Sequence, residues 1–274
     1  MLEEIVSQAP VFLLVAVRCF GMILTLPLFS SRAIPRIAKV ALCGYMAYFL
    51  FPAVSLSSGN FSSYAQYISA DGSFSLEYIL LLVGEGLIGI IIGFFINIIF
   101  AAFSTAGQFF SFQMGFSAAE AYDAFSQVEN PLMGQFFNLL SMLVFMQNHW
   151  FQKLFLGGLT ASFKALNAFS IINNTEGLMH FMLASLTTLF KDALIISLPI
   201  MASLFLVNVT MGILTKAAPQ MNLMSEGFSI LILFAFFVIM SLLPVMCNFF
   251  NESFKLGFRQ LESLFINLSG GISR

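Results

Sequence analysis

Charge is what this sequence lacks most. Only 24 of its 274 residues are charged, 11 basic and 13 acidic, or 9%, against roughly 25% in an ordinary soluble domain. So few charges cannot clothe a water-exposed surface, and a net charge of −2 offers no basic face to a nucleic acid. Tryptophan occurs once, histidine twice and cysteine three times. Cys19, Cys43 and Cys247 all lie in apolar runs, and an odd count fits no disulfide framework, so buried thiols acting as small hydrophobes are expected. Neither His149 nor His180 has a second His or Cys at metal-ligand spacing. No H-E-x-x-H, G-x-S-x-G or Walker pattern occurs, nor any 20–50-residue repeat or long strand-period alternation. Catalysis, a bound metal and a cofactor are therefore not expected.

Apolar residues are abundant: 59% of the chain, with 35 phenylalanines. Such a composition excludes a disordered chain and most soluble enzymes, and it defines an integral membrane protein. Crossing about 30 Å of hydrocarbon takes about 20 apolar residues. Six hydrophobic segments meet or approach that length: 9–29, 37–54, 79–103, 133–160, 178–215 and 228–250. The spacing predicts an all-α polytopic protein with one membrane domain over 1–274. The fifth segment is overlong and carries Lys191, Asp192 and Pro199, so it reads either as one kinked helix or as a broken pair. The N-terminus, MLEEIVSQAP, has acids where a signal peptide needs bases, and the first segment is expected to stay in the mature protein.

Two polar connections separate these segments. Residues 55–78 are rich in Ser and Gly and read as an exposed loop. Residues 104–131 differ, because no charge falls between Ser104 and Ala119 while Phe109, Phe110, Phe112, Met114 and Phe116 crowd between Gly107 and Gly115. Water seldom faces so much aromatic surface, which places this stretch inside protein or at a constriction. Beyond the last segment, Phe254, Phe258, Leu261, Phe265 and Leu268 recur at helical spacing. They predict an amphipathic helix over about 251–269, lying at the membrane interface or docked on a partner subunit.

The positive-inside rule gives no orientation. Between Lys39 and Lys153 there is no basic residue, against six acids, and basic clusters after the first segment and in the tail fall on opposite sides of a six-span chain. Glu85 completes a G-x-G-x-x-G match at Gly84-Glu85-Gly86-Leu87-Ile88-Gly89, but no βαβ unit surrounds it. Small-residue helix packing through Gly84, Gly86, Gly89 and Gly93 is the better account. Glu85, Arg18, Lys191 and Asp192 are expensive at membrane depth. They read either as an ion path or as groups that pair at subunit contacts or a watery lumen, for example Arg18 with Glu85.

Several stretches, in this order and spacing, resemble the FliR family of flagellar biosynthetic proteins, which also includes the T subunit of virulence type III secretion gates. They are Arg18 with Pro27-Leu28-Phe29 and Ile34-Pro35; Gly84-Glu85-Gly86 running on to Gln113-Met114-Gly115-Phe116-Ser117; Gly134-Gln135-Phe136 to Asn148-His149; and Leu198-Pro199 to Ala218-Pro219-Gln220-Met221-Asn222. The resemblance covers about residues 10–245. It implies helical hairpins packed into a helical hetero-oligomeric export gate at the flagellar basal body in the bacterial inner membrane. One copy would assemble with FliP-like and FliQ-like subunits, with FlhB-like and FlhA-like components alongside, and unfolded flagellar substrates would pass through. It also implies a pore plug at Gly107, Gln108, Phe109, Phe110, Phe112, Gln113, Met114, Gly115 and Phe116, and a family turn at Pro219, Gln220 and Asn222. The alternatives are a small-solute or ion-coupled secondary transporter using Glu85 and Arg18, or the virulence-system counterpart.

Overall fold

Proline fixes the first helix boundaries. In the computed structural model, which describes residues 8–30, 34–54, 60–68, 75–116, 132–217 and 223–269, α1 (Ala9–Thr25) carries Pro10 in its first turn, where the missing N–H is harmless. It ends because Pro27 pushes Leu26 into the extended region, at φ −67° and ψ 130°. A single turn, α2 (Pro27–Ser30), leads on towards α3 (Arg36–Leu50). Two 3₁₀ stretches follow, Phe51–Ala53 and Asn60–Tyr67.

α4 (Leu76–Met114) begins where the Ser75 hydroxyl accepts a hydrogen bond from the Tyr78 N–H, and stops at Gly115, whose φ of 81° is the usual left-handed helix end. α5 (Leu132–Gln147) ends at a turn in which His149 takes φ 55°. Beyond it α6 (Trp150–Lys153), a π-helical stretch Leu154–Leu159 and α7 (Thr160–Ala165) run end to end. Asn167 caps α8 (Ala168–Asn173): its side chain accepts from the Ser170 N–H while the Ser170 hydroxyl accepts from the Asn167 N–H. Last come α9 (Thr175–Ala217) and α10 (Leu223–Ser269).

No strand occurs among the described residues, and α4, α9 and the Gly227–Leu268 part of α10 are long and apolar enough to cross a membrane. At 39 residues, α4 measures about 58 Å by the 1.5 Å rise, nearly twice the hydrocarbon thickness of about 30 Å. The fifth hydrophobic segment is one unbroken helix, with Pro199 inside α9. The sixth segment and the amphipathic tail are likewise one helix, α10, with Pro244 inside it.

Contacts divide the chain into two compact units: Met1–Ile98 with His149–Ser185 and Lys255–Arg274, and Ile99–Asn148 with Leu186–Phe254. The first is cored by Leu14, Met22, Met46, Ile88 and Ile96. The second is cored by aromatic rings. Phe103 and Phe250 lie 4.0 Å apart, Phe100 packs on Phe145 at 5.2 Å and on Phe254 at 5.0 Å, and Phe110 meets Phe137 at 5.1 Å. Lipid is as apolar as a phenylalanine, so such a core is held by close contact between rings and not by escape from water.

Candidate functional site

The cost of charge at membrane depth is met in the first unit by a sealed hydrogen-bond network. Arg18, near the middle of α1, and Glu85, in the third turn of α4, are both fully buried. Arg18 donates to Glu85 Oε2 from Nε at 2.7 Å and from Nη2 at 2.6 Å. Its remaining donors reach Ser162 Oγ at 3.2 Å and the Leu166 carbonyl at 3.0 Å, and its guanidinium lies 4.3 Å from the Phe163 ring centroid. Glu85 Oε1 accepts from the Tyr64 hydroxyl at 2.6 Å. That hydroxyl in turn accepts from the Ala168 N–H. Burial, then the adjacent carboxylate, pushes the Tyr64 phenol well above its usual range, so it stays a donor.

A buried ion pair survives its desolvation only when the remaining lone pairs and protons are satisfied. Here the network joins α1, the second 3₁₀ stretch, α4, α7 and the start of α8 in one closed set of contacts. Glycine makes the approach possible. A Cβ on Gly89 would sit 2.0 Å from the Arg18 carbonyl oxygen, and one on Gly93 would sit 2.0 Å from Thr25 Oγ1. Gly21 of α1 returns the contact, facing the Gly86 carbonyl, and Gly84 faces the Ala168 methyl group. The two backbones thus meet face to face, as small-residue helix contacts in membranes do.

Tyr64, Ser162 and Phe163 are site residues that the sequence reading missed. Tyr64 lies in the Ser- and Gly-rich connection expected to be an exposed loop, yet Phe61 and Tyr64 are buried. The signal was present: Phe61, Tyr64 and Tyr67 recur every third residue, which is one face of a 3₁₀ helix.

The aromatic stretch expected to plug a pore is, over its described part, the C-terminal end of α4 in the second unit. Its two faces differ. Gly107, Phe110 and Met114 are buried; a Cβ on Gly107 would meet the Met133 carbonyl, and Phe110 packs on Phe137. Phe112 is 67% exposed, and Gln108, Phe109, Gln113, Gly115 and Phe116 are half-buried. Phe109, Phe112 and Phe116 follow the i, i+3, i+7 spacing of a single helical face.

The other expected sites are scattered. Lys191 is exposed on α9, while Asp192 is half-buried with Ser253 Oγ 3.5 Å from its carboxylate. Pro219, Gln220 and Asn222 lie outside the described residues. The tail stripe faces neither a bare membrane surface nor a partner: Leu261, Phe265 and Leu268 are buried in this chain, and Phe258 stacks on Trp150 at 4.9 Å. All three cysteines are free thiols, and no metal-binding cluster occurs among the described residues.

Fold and site together define a polytopic helical membrane protein whose internal charges are paired inside the chain. Residues 9–257 match the family described as bacterial export proteins, family 1, and the chain belongs to that family. Its relatives include the flagellar biosynthetic protein FliR of Bacillus subtilis, 29% identical over 96% of this chain and 97% of that one. FliR of Escherichia coli is 26% identical over 93% and 94% of the two chains. The surface presentation of antigens protein SpaR of Shigella flexneri is 28% identical over 61% of this chain and 64% of that one.

Proposed function

We propose that this chain is the FliR-like, pore-forming subunit of the flagellar type III export gate, passing unfolded flagellar substrates across the bacterial inner membrane at the basal body. It works as a structural component and not as an enzyme. One copy assembles with FliP-like and FliQ-like subunits, and FlhB-like and FlhA-like components complete the apparatus. The broad apolar surfaces of α9 and α10, with Phe205, Leu206, Leu233 and Phe237 all more than half exposed, supply faces for such neighbours and for lipid.

The observation that carries the gating part of the reading is Phe112, exposed at the end of a spanning helix whose opposite face is locked into an aromatic core. Phe109, Phe112 and Phe116, with Gln108 and Gln113 beside them, are the gasket: apolar rings exclude water and ions from a narrow bore and give way to a passing chain. The fully buried Arg18–Glu85 pair has no water route of its own, which disfavours the ion-coupled transporter.

The test is conductance of the assembled gate in planar bilayers. Replacing Phe109, Phe112 and Phe116 together by alanine leaves assembly with the co-purifying FliP-like and FliQ-like proteins intact and makes the closed gate leak ions. Conductance as low as that of the unmodified gate overturns the gasket assignment, and a chain that purifies as a functional monomer overturns the gate.

A further inference from the structure

A groove of about 360 Å³ opens on the outside of the first unit, beside the charge network but separate from it. Its walls are Leu80, Val83 and Leu87 of α4, facing Phe169 and Ile172 of α8. Its floor is low because Gly84 meets the Ala168 methyl group there, leaving no side chain to fill the space. The polar groups gather at one end, Glu77 in the first turn of α4 and Tyr67 at the close of the 3₁₀ stretch.

This gradient has a direction. α4 starts at its Ser75 cap, so Glu77 and Tyr67 lie at the end of a spanning helix and the apolar walls run inward from it. Tyrosine favours that interfacial level. The mouth offers a carboxylate, which only accepts, and a phenol, which can donate. It suits a group carrying an ammonium and a phosphate side by side, and an anionic headgroup would meet the Glu77 charge unfavourably. The volume falls in the range of small-molecule sites, which are largely apolar with a few polar groups fixing orientation. We infer that the groove holds one acyl chain of a phosphatidylethanolamine molecule, its ammonium on Glu77 and its phosphate at the Tyr67 hydroxyl.

The test uses the full chain in phosphatidylcholine nanodiscs, with a phosphatidylethanolamine probe bearing a diazirine on one acyl chain. The probe is expected to label peptides containing Leu80–Leu87 and Phe169–Ile172 well above the lipid-facing stretch Phe205–Ile213. The same probe with a phosphatidylglycerol headgroup is expected to label them about tenfold less, the worth of about 1.4 kcal/mol at the headgroup. Glu77→Gln, at an exposed position, is expected to abolish that preference, and Val83→Trp to block labelling by filling the groove. Even labelling along all lipid-facing helices, equal labelling by the two headgroups, or labelling that persists in Val83→Trp each overturns the assignment. So does cross-linking of the groove to a neighbouring subunit in the assembled gate without any lipid adduct.

Discussion

Tyr64 holds the oxygen of Glu85 that Arg18 leaves open: the phenol donates to Oε1 at 2.6 Å, while both contacts from the guanidinium go to Oε2. The same phenol accepts the Ala168 N–H. One hydroxyl therefore completes the carboxylate and caps the start of a helix. Tyr64→Phe is expected to leave Glu85 Oε1 and the Ala168 N–H unpaired, at about 1–3 kcal/mol for each buried group. Thermal unfolding in detergent measures the loss. A phenol whose folded pKa is raised contributes stability below its ordinary value of about 10 and loses it as pH rises beyond that. The fall in stability on the alkaline side should accordingly be shallower in Tyr64→Phe than in the unmodified protein.

Breaking the ion pair from one side strands a buried charge. Arg18→Met and Glu85→Leu alone should each cost about 3–5 kcal/mol, whereas the double substitution should recover most of the loss. Yield of the assembled complex and unfolding temperature read both. Additive losses would show that the pair is not coupled.

Gly89→Ala and Gly93→Ala should force α1 and α4 apart, since each new Cβ would sit about 2.0 Å from backbone or side-chain oxygen. Loss of assembled complex is the expected outcome. Gly44→Ala and Gly177→Ala, where nothing lies within 4 Å, should be neutral or stabilise their helices by up to about 1 kcal/mol.

In the second unit, Phe103→Ala removes a ring at the centre of the aromatic core, whereas Phe237→Ala trims a ring already 66% exposed. The first should lower the unfolding temperature clearly and the second hardly at all. The cost should stay below the roughly 3–5 kcal/mol of a water-soluble core, because in lipid the transfer term vanishes and only lost contacts remain. Differential scanning fluorimetry of the two variants side by side checks this.

Composition and periodicity made the helices legible, since spanning segments need long apolar runs whatever they touch. They also flagged Arg18 and Glu85, because a charge in such a run demands a partner. The third partner was hidden. Tyr64 belongs to a stretch whose serines and glycine look solvated, and a 3₁₀ period of three is easily lost among polar neighbours. The tail stripe was equally clear as a pattern, yet a hydrophobic stripe does not say what covers it; here Trp150 and the glycines of the π-helical stretch do. The aromatic end of α4 looked like a connection because Gly107 and Gly115 suggested turns, whereas Gly107 provides close packing and only Gly115 ends the helix.

The π-helical stretch Leu154–Leu159 has a consequence for how this chain can change in length. A π turn accommodates one residue more than an α turn, and the surplus lies just upstream of Ser162 and Phe163, whose phase around the helix aims them at Arg18. Losing either Gly157 or Gly158 would let the stretch relax to α and turn everything beyond it by about 100°. The residue count of this segment is thus part of the site, and a one-residue deletion would disturb it more than most substitutions.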